Sequence, residues 1–369
     1  MALAFYVSGH GFGHASRTIE IINALLAREP DLPIVVLSSA PRWIFDATIR
    51  GHATVTAGTF DTGIAQVNSL ALDVEASLRQ AAAFHATIAD RARTESERLR
   101  HLRAALVLAD LPPLAFEAAA RAGVPSMAIG NFTWDWIYEA YELQPRLAPG
   151  LPDLIRQAHG LADVAWRLPM HGGFEGFRRI VDVPLVARRS RRDPTETRRA
   201  FGLPPDTRLV LISFGGYGLD TLPLHTLVGR DEFGIVTTGR GAEPTGRSGR
   251  IWHVDEQAMY DAGYRYEDLV AAVDVVATKP GYGIISECAA NGTALLYTSR
   301  GPFAEYDVLV AALPGLVRSR FIDHARVFAG GWDDELAALL AQPKPHAVAA
   351  NGADVIAERI LERLPGTLC

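Results

Sequence analysis

"YVSGHGFGHASR", residues 6–17, follows an apolar run that begins almost at the first residue. Within it, positions 9–14 hold three glycines and two histidines. Glycine lets the backbone come close to another group, and histidine can exchange a proton near neutral pH. This composition favours a binding or catalytic loop. A tight strand-to-helix turn with one structural histidine is the alternative.

Short apolar runs alternate with longer helical patterns through the first half of the chain. The sequence predicts a long helical stretch over residues 73–102 and strands over residues 3–8, 33–38, 53–57, 105–109 and 125–129. Alternation of this kind predicts a parallel, doubly wound sheet with helices on both faces.

A second series of the same kind begins at Arg208 with RLVLISFGGYG and continues through FGIVTTG, GRIWHV, DVVATKPGYG and TALLYTS. We therefore predict an α/β chain of two doubly wound, Rossmann-like domains that face each other across a cleft. The predicted bounds are 1–185 and 205–350, with a linker at 186–204 and a helix in 351–369 that crosses back to the first domain. Six arginines lie between positions 188 and 199. We interpret them as a solvated linker, with an anion-binding patch as the alternative.

Composition excludes several classes of function. The chain has 369 residues, of which 49% are hydrophobic and 21% charged, which is typical of a globular protein with large cores. Its formal net charge of -6 gives no broad basic surface, so we expect no nucleic-acid partner. Cys288 and Cys369 are its only cysteines, without the spacing of a metal site or a disulfide framework, which favours a reducing, cytoplasmic location. No apolar run approaches the roughly 20 residues of a membrane-spanning helix.

A histidine and an aspartate that are distant in sequence are predicted to meet at one edge of the first sheet. If the strand order is 3-2-1-4-5, the loops after strands 1 and 4 emerge side by side. His14 follows strand 1 and Asp110 follows strand 4. A carboxylate that accepts from an imidazole fixes its tautomer and raises its basicity, so the other nitrogen can take a proton from a hydroxyl or water. An N-cap of the helix after Pro112 is the alternative role of Asp110.

Two glycine-rich turns of the second domain are candidates for binding a nucleotide. SFGGYG, residues 213–218, follows the first strand of that domain, where backbone N–H groups can hold a diphosphate. TKPGYGIISECAANGTALL, residues 278–296, combines a strand end, a glycine turn and the start of a helix. Glu287 in that helix can accept both hydroxyls of a ribose, or it can be solvated or hold a neighbouring helix.

These stretches resemble the GT-B nucleotide-sugar glycosyltransferases, and the resemblance covers essentially the whole chain. GHGFGHASR is similar to the N-terminal glycine-rich loop of the peptidoglycan N-acetylglucosaminyltransferases, whose closing histidine is the catalytic base, which implies this role for His14. Asp110 is similar to the acidic partner in the His–Asp pair of natural-product glucosyltransferases. YVSGHGFGHASR, GNFTWDWIYEAY and KPGYGIISE also resemble the glycosyltransferase-like N-terminal region of plant-type L-arabinokinases and its free-standing bacterial relatives.

The resemblance implies an inverting, metal-independent transfer of sugar from a nucleoside diphosphate sugar, with UDP-sugar as the expected donor, to a hydroxyl of a small-molecule or glycan acceptor. It implies no cofactor besides this co-substrate. RGPFAEYDVLV departs from the Gln-Gln or Asp-Gln pattern that the family commonly shows there, so the sugar stays open. The implied acceptor residues are His10, Asn131, Trp134 and Asp135. The implied donor residues are Gly11, Gly13, Gly215, Gly216, Tyr217, Lys279, Gly281, Gly283, Ser286, Glu287, Glu305 and Asp307.

Three other functions stay open. A nucleotide-sugar hydrolase has a similar loop, GFGH followed by a basic residue at +3, and Arg17 fits that pattern. A non-hydrolysing nucleotide-sugar epimerase shares the fold. A non-catalytic module that binds sugar nucleotides is the third.

Overall fold

The structure is a computed structural model, and it describes residues 1–67, 71–214, 222–240, 244–299, 301 and 303–364. Its first sheet contains β1 (Ala2–Val7), β2 (Ile34–Ser38), β3 (Thr54–Ala57), β4 (Ala104–Asp110), β5 (Ser126–Phe132), β6 (Val164–Gly172) and β7 (Ile180–Asp182). The spatial order is β3-β2-β1-β4-β5-β6-β7, and every neighbouring pair is parallel. The predicted 3-2-1-4-5 order is confirmed, and β6 and β7 extend it.

The helices around this sheet are α1 (Gly13–Arg28), α2 (Arg42–Thr48), α3 (Val74–His85), α4 (Ile88–His101), α5 (Pro113–Ala122), α6 (Trp134–Glu139), α7 (Gln144–Leu147) and α8 (Leu151–His159). The helical stretch predicted over residues 73–102 consists of two helices, because α3 and α4 are separated at residues 86–87. At this break the Phe84 carbonyl accepts from both the backbone N–H and the hydroxyl of Thr87, at 3.2 and 3.0 Å. The flanking alanines, arginines and glutamates have high helix propensity, so the sequence does not indicate the break.

The second sheet contains β8 (Arg208–Ser213), β9 (Phe233–Gly239), β10 (Gly246–Ser248), β11 (Ile251–Asp255), β12 (Val275–Thr278), β13 (Ala294–Tyr297) and β14 (Ser319–Phe321), in the order β10-β11-β9-β8-β12-β13-β14. All pairs are parallel except β10 with β11. A short 3₁₀ turn spans Leu224–Thr226. The remaining helices are α9 (Pro194–Ala200), α10 (Glu256–Asp261), α11 (Tyr266–Ala272), α12 (Tyr282–Asn291), α13 (Tyr306–Leu316), α14 (His324–Ala329), α15 (Asp333–Leu340) and α16 (Gly352–Leu361).

Strand β1 illustrates why the strands of these sheets are continuous apolar runs in the sequence. All six of its residues are buried, because helices cover both faces of a parallel sheet. Leu3 and Phe5 contribute to the apolar cluster that includes α1, while Ala4 and Tyr6 contribute to the cluster that includes α5. Within the described residues, no helix has both the length and the apolar character needed to cross a membrane.

Helix α16 lies against the first domain. Ile356 and Ile360 are fully buried in the apolar cluster that contains β1 and α1. Arg28 of α1 forms ion pairs with Asp354 at 2.9 Å and with Glu358 at 3.0 Å. The chain therefore crosses between the two sheets twice, once in the linker and once before α16.

Two arginines of the linker correct our interpretation of a solvated segment. Arg198 pairs with Asp274 at 2.9 Å and donates to the carbonyls of Pro204, Pro205, Thr207 and Ala272. The side chain of Arg188 is only 13% exposed and pairs with Glu287. Because Arg198 satisfies several acceptors and Arg188 pairs with a buried carboxylate, these two residues fasten the linker to the second domain.

Candidate active site

The glycine-rich loop joins β1 to α1 in a tight turn. A Cβ atom at Gly9 would lie 1.9 Å from Oγ of Ser39 and 3.0 Å from its carbonyl carbon, so a larger residue there would require Ser39 to move. Gly11 has φ +68°, in the left-handed region that favours glycine. The turn places His14 in the first turn of α1, where the imidazole is buried and only 4% exposed. A Cβ atom at Gly13 would meet no atom of the described residues within 4 Å, so no neighbouring part of the protein requires glycine there.

His14 and Asp110 meet at the edge of the first sheet. β1 and β4 are neighbours, with Val7 in register with Asp110. The Nδ1 atom of His14 lies 2.7 Å from Oδ1 of Asp110, and both side chains are buried. Asp110 is not a helix cap, because α5 has Pro112 at its N-cap and no side-chain cap bond. With the Nδ1 proton in the bond to Asp110, Nε2 of His14 is the nitrogen that can accept a proton.

Arg17 is a further member of this cluster that our predicted site residues did not include. Its Nε atom donates to Oδ2 of Asp110 at 2.5 Å, Nη2 donates to Oδ1, and Nη1 donates to Oδ1 of Asn131. Nη2 also lies 2.8 Å from Nδ1 of His14. Burial raises the pKa of Asp110, but Arg17 and His14 outweigh burial and hold it below its ordinary value. The sequence signal for including Arg17 was its i, i+3 spacing from His14, which puts both residues on the same face of α1.

Asp61 is a second buried acid that sequence reasoning missed. It is 6% exposed, and Nε1 of Trp134 donates to its Oδ2 atom at 3.0 Å. Burial raises the pKa of Asp61, and the charge of His14 partly opposes that effect. Asp61 could have been identified from its position in the sequence. It follows β3, and the carboxyl ends of parallel strands lie at one edge of the sheet.

The predicted acceptor residues separate into two groups. Asn131 lines the crevice between the domains, and Nδ2 of Asn131 donates to the Pro169 carbonyl at 2.6 Å. The Trp134 ring lies 6.0 Å from the ring of His14 and 5.6 Å from that of His10, so it packs beside the histidines.

Asp135 corrects our prediction of an acceptor contact. Its side chain is fully buried and pairs with Arg156 of α8 at 3.0 Å. Neighbouring positions on a short helix point to different faces, so Trp134 packs beside the histidines while Asp135 points into the contact with α8.

Helix α12 of the second domain approaches the glycine-rich loop. The ring of Tyr282 stacks on that of Phe132 with 5.6 Å between centroids, and a Cβ atom at Gly283 would lie 3.8 Å from Cα of Gly13. The N-termini of α1 and α12 thus lie close together across a crevice. Its empty volume is about 370 Å³, part of it open to solvent, and its polar lining consists of Ser16, Arg17, Asn131, Arg188, Tyr282, Ser286 and Glu287.

The other predicted donor residues are more scattered. Gly215, Gly216 and Tyr217 lie outside the described residues. Gly281 is the N-cap of α12, and Lys279 lies between β12 and that cap. Glu305 is buried next to the start of α13, whereas Asp307 is exposed in its first turn. Neither of these two acids lines the crevice.

Glu287 faces a linker arginine. Nε of Arg188 donates to its Oε1 atom at 2.7 Å, and Nη2 of Arg188 lies 2.6 Å from the same oxygen in an ion pair. Glu287 is 3% exposed, so it is not a solvated side chain. Burial raises the pKa of Glu287, and the charge of Arg188 opposes this effect. Its predicted contact with ribose stays a prediction.

Glu267 of α11 adds a third charge to this region. Arg50 and Arg188 lie 3.7 and 3.9 Å from its oxygens, too far for hydrogen bonds, and its buried Oε2 atom accepts none from the described residues. Burial raises the pKa of Glu267 to about 7, with the charge of Arg188 opposing the rise. In the part of the chain that the structure describes, no group of three or more His, Cys, Asp or Glu side chains is placed to hold a metal ion.

Replacing Glu267 with glutamine is expected to stabilise the protein at pH 8 and to have little effect at pH 4.5. Its pKa rises from an ordinary 4.5 to about 7 on folding, so the folded chain keeps a proton that the unfolded chain releases. Wild-type stability therefore falls as pH rises through this window. At about 1.4 kcal/mol per pKa unit, the variant should gain on the order of 3 kcal/mol at pH 8 in urea unfolding. Glu97→Gln, at an exposed position of α4, is the matched control. An equal gain at both pH values would refute the assignment.

Comparison with known proteins begins with sequence. No family model matches the chain. L-arabinokinase of Arabidopsis thaliana is 28% identical over 379 residues, a match that covers 100% of this chain and 35% of that protein. The chain thus spans about a third of the length of this relative.

Solved structures extend the comparison to the fold. The glycotransferase of kitacinnamycin is 18% identical, with a TM-score of 0.64 over 99% of each chain. UGT2 of Phytolacca americana, complexed with UDP-2fluoro-glucose and pterostilbene, is 14% identical, with a TM-score of 0.59 over 98% of this chain and 94% of that one. Both likenesses extend over the two sheets and the crevice between them. The chain therefore has the two-domain α/β fold of the GT-B glycosyltransferases.

Proposed function

We propose that this protein is an inverting glycosyltransferase that moves a sugar from a nucleoside diphosphate sugar to a hydroxyl acceptor without a metal ion. The observation that carries this proposal is the buried pair of His14 and Asp110, 2.7 Å apart, which contacts Arg17 in the lining of the crevice that faces the N-terminus of α12. A base oriented in this way, opposite a site suited to phosphate, provides both halves of the reaction.

His14 acts on the acceptor in this proposal. Asp110 accepts a hydrogen bond from Nδ1–H of His14, so Nε2 takes the proton of the acceptor hydroxyl as its oxygen attacks the anomeric carbon. The bond between that carbon and the donor phosphate oxygen breaks, and the nucleoside diphosphate leaves with the electron pair. A single displacement of this kind inverts the configuration at the anomeric carbon. Arg17 holds Asp110 ionised, which favours the imidazolium that forms.

The second domain stabilises the leaving diphosphate. The N-terminus of α12 presents unpaired backbone N–H groups and the positive end of the helix dipole. Lys279, just before this helix, supplies a positive charge close to it. Because these fixed dipoles and this charge balance the developing negative charge, the proposal requires no metal ion.

A nucleotide-sugar hydrolase is the second candidate, and Arg17 is the observation that favours it. Its guanidinium contacts both Asp110 and Asn131 in the crevice, next to His14. In this reaction Nε2 of His14 would take a proton from water instead of an acceptor hydroxyl. The two candidates differ only in the nucleophile, so they predict different products from the same donor.

Product analysis after a binding screen tests the proposal. UDP, dTDP and a panel of UDP-sugars that includes UDP-L-arabinose are first compared by thermal shift, since a ligand at 100 times its Kd stabilises by about 2.7 kcal/mol. Release of the nucleoside diphosphate is then measured with and without phenolic and sugar acceptors. Release that depends on an acceptor supports transfer. Free sugar without an acceptor selects hydrolysis, and binding without turnover across the panel contradicts both reactions.

A further inference from the structure

Arg188 is the linker residue that reaches into the crevice. Its backbone is fastened to α12, because Nδ2 of Asn291 donates to the Arg188 carbonyl at 3.1 Å and the Ser190 backbone donates to Oδ1 of Asn291 at 2.9 Å. The Arg188 guanidinium also lies 5.6 Å above the ring of Tyr266. These contacts fix the side chain in one direction, toward Glu287.

The contact between Arg188 and Glu287 is asymmetric. Nε donates a hydrogen bond to Oε1 at 2.7 Å, and Nη2 forms an ion-pair contact with the same oxygen at 2.6 Å. Oε2 of Glu287 accepts no hydrogen bond from the described residues, and Glu287 lines the crevice. One carboxylate oxygen is thus held by the protein, while the other remains available to a ligand.

We propose that Arg188 is a positioning residue of the donor site, which orients Glu287 so that its Oε2 atom accepts hydrogen bonds from the ribose hydroxyls of the donor. This inference rests on the proposed function, because it requires a ribonucleotide donor at α12. It adds a residue of the linker to a site otherwise formed by the second domain.

The electrostatics of the pair explain why an arginine is needed there. An ionised carboxylate accepts stronger hydrogen bonds than a neutral carboxyl group, and burial alone would favour the neutral form. Arg188 opposes burial through its charge, and its Nε hydrogen bond together with the Nη2 contact restricts rotation of the carboxylate. Without this partner, burial would favour the neutral form of Glu287 more strongly, and the carboxyl group would lose the contact that orients it.

Ribose discrimination tests the inference. Calorimetry would measure the Kd of UDP and of 2′,3′-dideoxy-UDP for the wild type, Arg188→Met and Glu287→Gln. We expect the wild type to prefer UDP by about 10-fold or more, as for hydrogen bonds to a charged acceptor. Both variants should bring the ratio close to one, while binding of the dideoxy ligand changes little.

Two further variants serve as controls. Arg189→Met removes the same charge from the neighbouring exposed position and should keep the wild-type ratio. Arg188→Lys keeps the charge, and it should keep part of the discrimination. Arg188→Lys also provides a test if Arg188→Met does not fold. A lysine variant that binds UDP and 2′,3′-dideoxy-UDP equally well would overturn the inference that the charge of Arg188 positions Glu287.

Other outcomes separate this inference from the proposed function. Equal weakening of both ligands by Arg188→Met would mean that Arg188 contacts the phosphates or only maintains the fold, and would overturn the inference. A wild type that binds UDP without ribose preference would overturn it as well. If the wild type prefers UDP over 2′,3′-dideoxy-UDP through Arg188 but transfers no sugar, the inference stands and the proposed transferase activity is overturned.

Discussion

Replacement of His14 by glutamine is expected to lower turnover by about 10²–10⁴-fold, the usual contribution of a general base. Glutamine cannot take a proton from the acceptor hydroxyl, whereas the amide keeps hydrogen-bonding capacity beside Asp110. The Kd of UDP should change little, because the proposed phosphate site belongs to α12 in the second domain. Initial rates and calorimetry on the same preparation measure the two effects.

The matched control for His14 is an exposed histidine. His52 is exposed and follows α2, so His52→Gln makes the same chemical change away from the crevice and should leave turnover unchanged. Unchanged turnover in the His14 variant would eliminate His14 as the base. Equal losses of turnover and nucleotide affinity would indicate that the glycine-rich loop serves donor binding instead.

The fold was predictable because its signals are local and repeated. Buried parallel strands read as continuous apolar runs, and the runs at residues 3–8 and 105–109 correspond to β1 and β4. Strand order then followed from the doubly wound pattern. The break between α3 and α4 was not predictable in this way, because residues 86–87 lie within a segment of high helix propensity.

The pairing of His14 with Asp110 was predictable for a topological reason. Both residues follow central strands, and strand order alone brings the carboxyl ends of β1 and β4 together. The prediction of acceptor contacts failed where it depended on the direction in which a side chain points. Asp135 lies one residue from Trp134, yet the path of α6 aims it at Arg156 and away from the crevice.

The linker shows a second limit of sequence reasoning. Arg188 and Arg189 are neighbours of the same type, and their charges predict solvation for both. Tertiary structure distinguishes them, since Arg188 meets a buried carboxylate on α12 while Arg189 is exposed. A contact between positions 188 and 287 leaves no local signature in one sequence.

Replacement of Asp110 by asparagine should cost both stability and turnover. The carboxylate accepts from His14, from Thr18 and from the buried guanidinium of Arg17. Asparagine would leave that guanidinium without a counter-charge and point an amide N–H group toward other donors. Loss of one partner of a buried ion pair costs about 3–5 kcal/mol, which urea unfolding would measure. Turnover should fall at least about 100-fold, because His14 loses the group that fixes its tautomer.

The double variant Asp110→Asn, Arg17→Gln separates the two effects. Removing both charges eliminates the unpaired guanidinium, so stability should recover to well above the sum of the single changes, as expected for residues in direct contact. Turnover should stay as low as in Asp110→Asn, because the double variant still lacks a carboxylate beside His14. Recovery of turnover together with stability would mean that Asp110 serves only as the counter-ion of Arg17. In that case the Nδ1 proton of His14 would not depend on Asp110, and Asp110 would not be the group that orients the base.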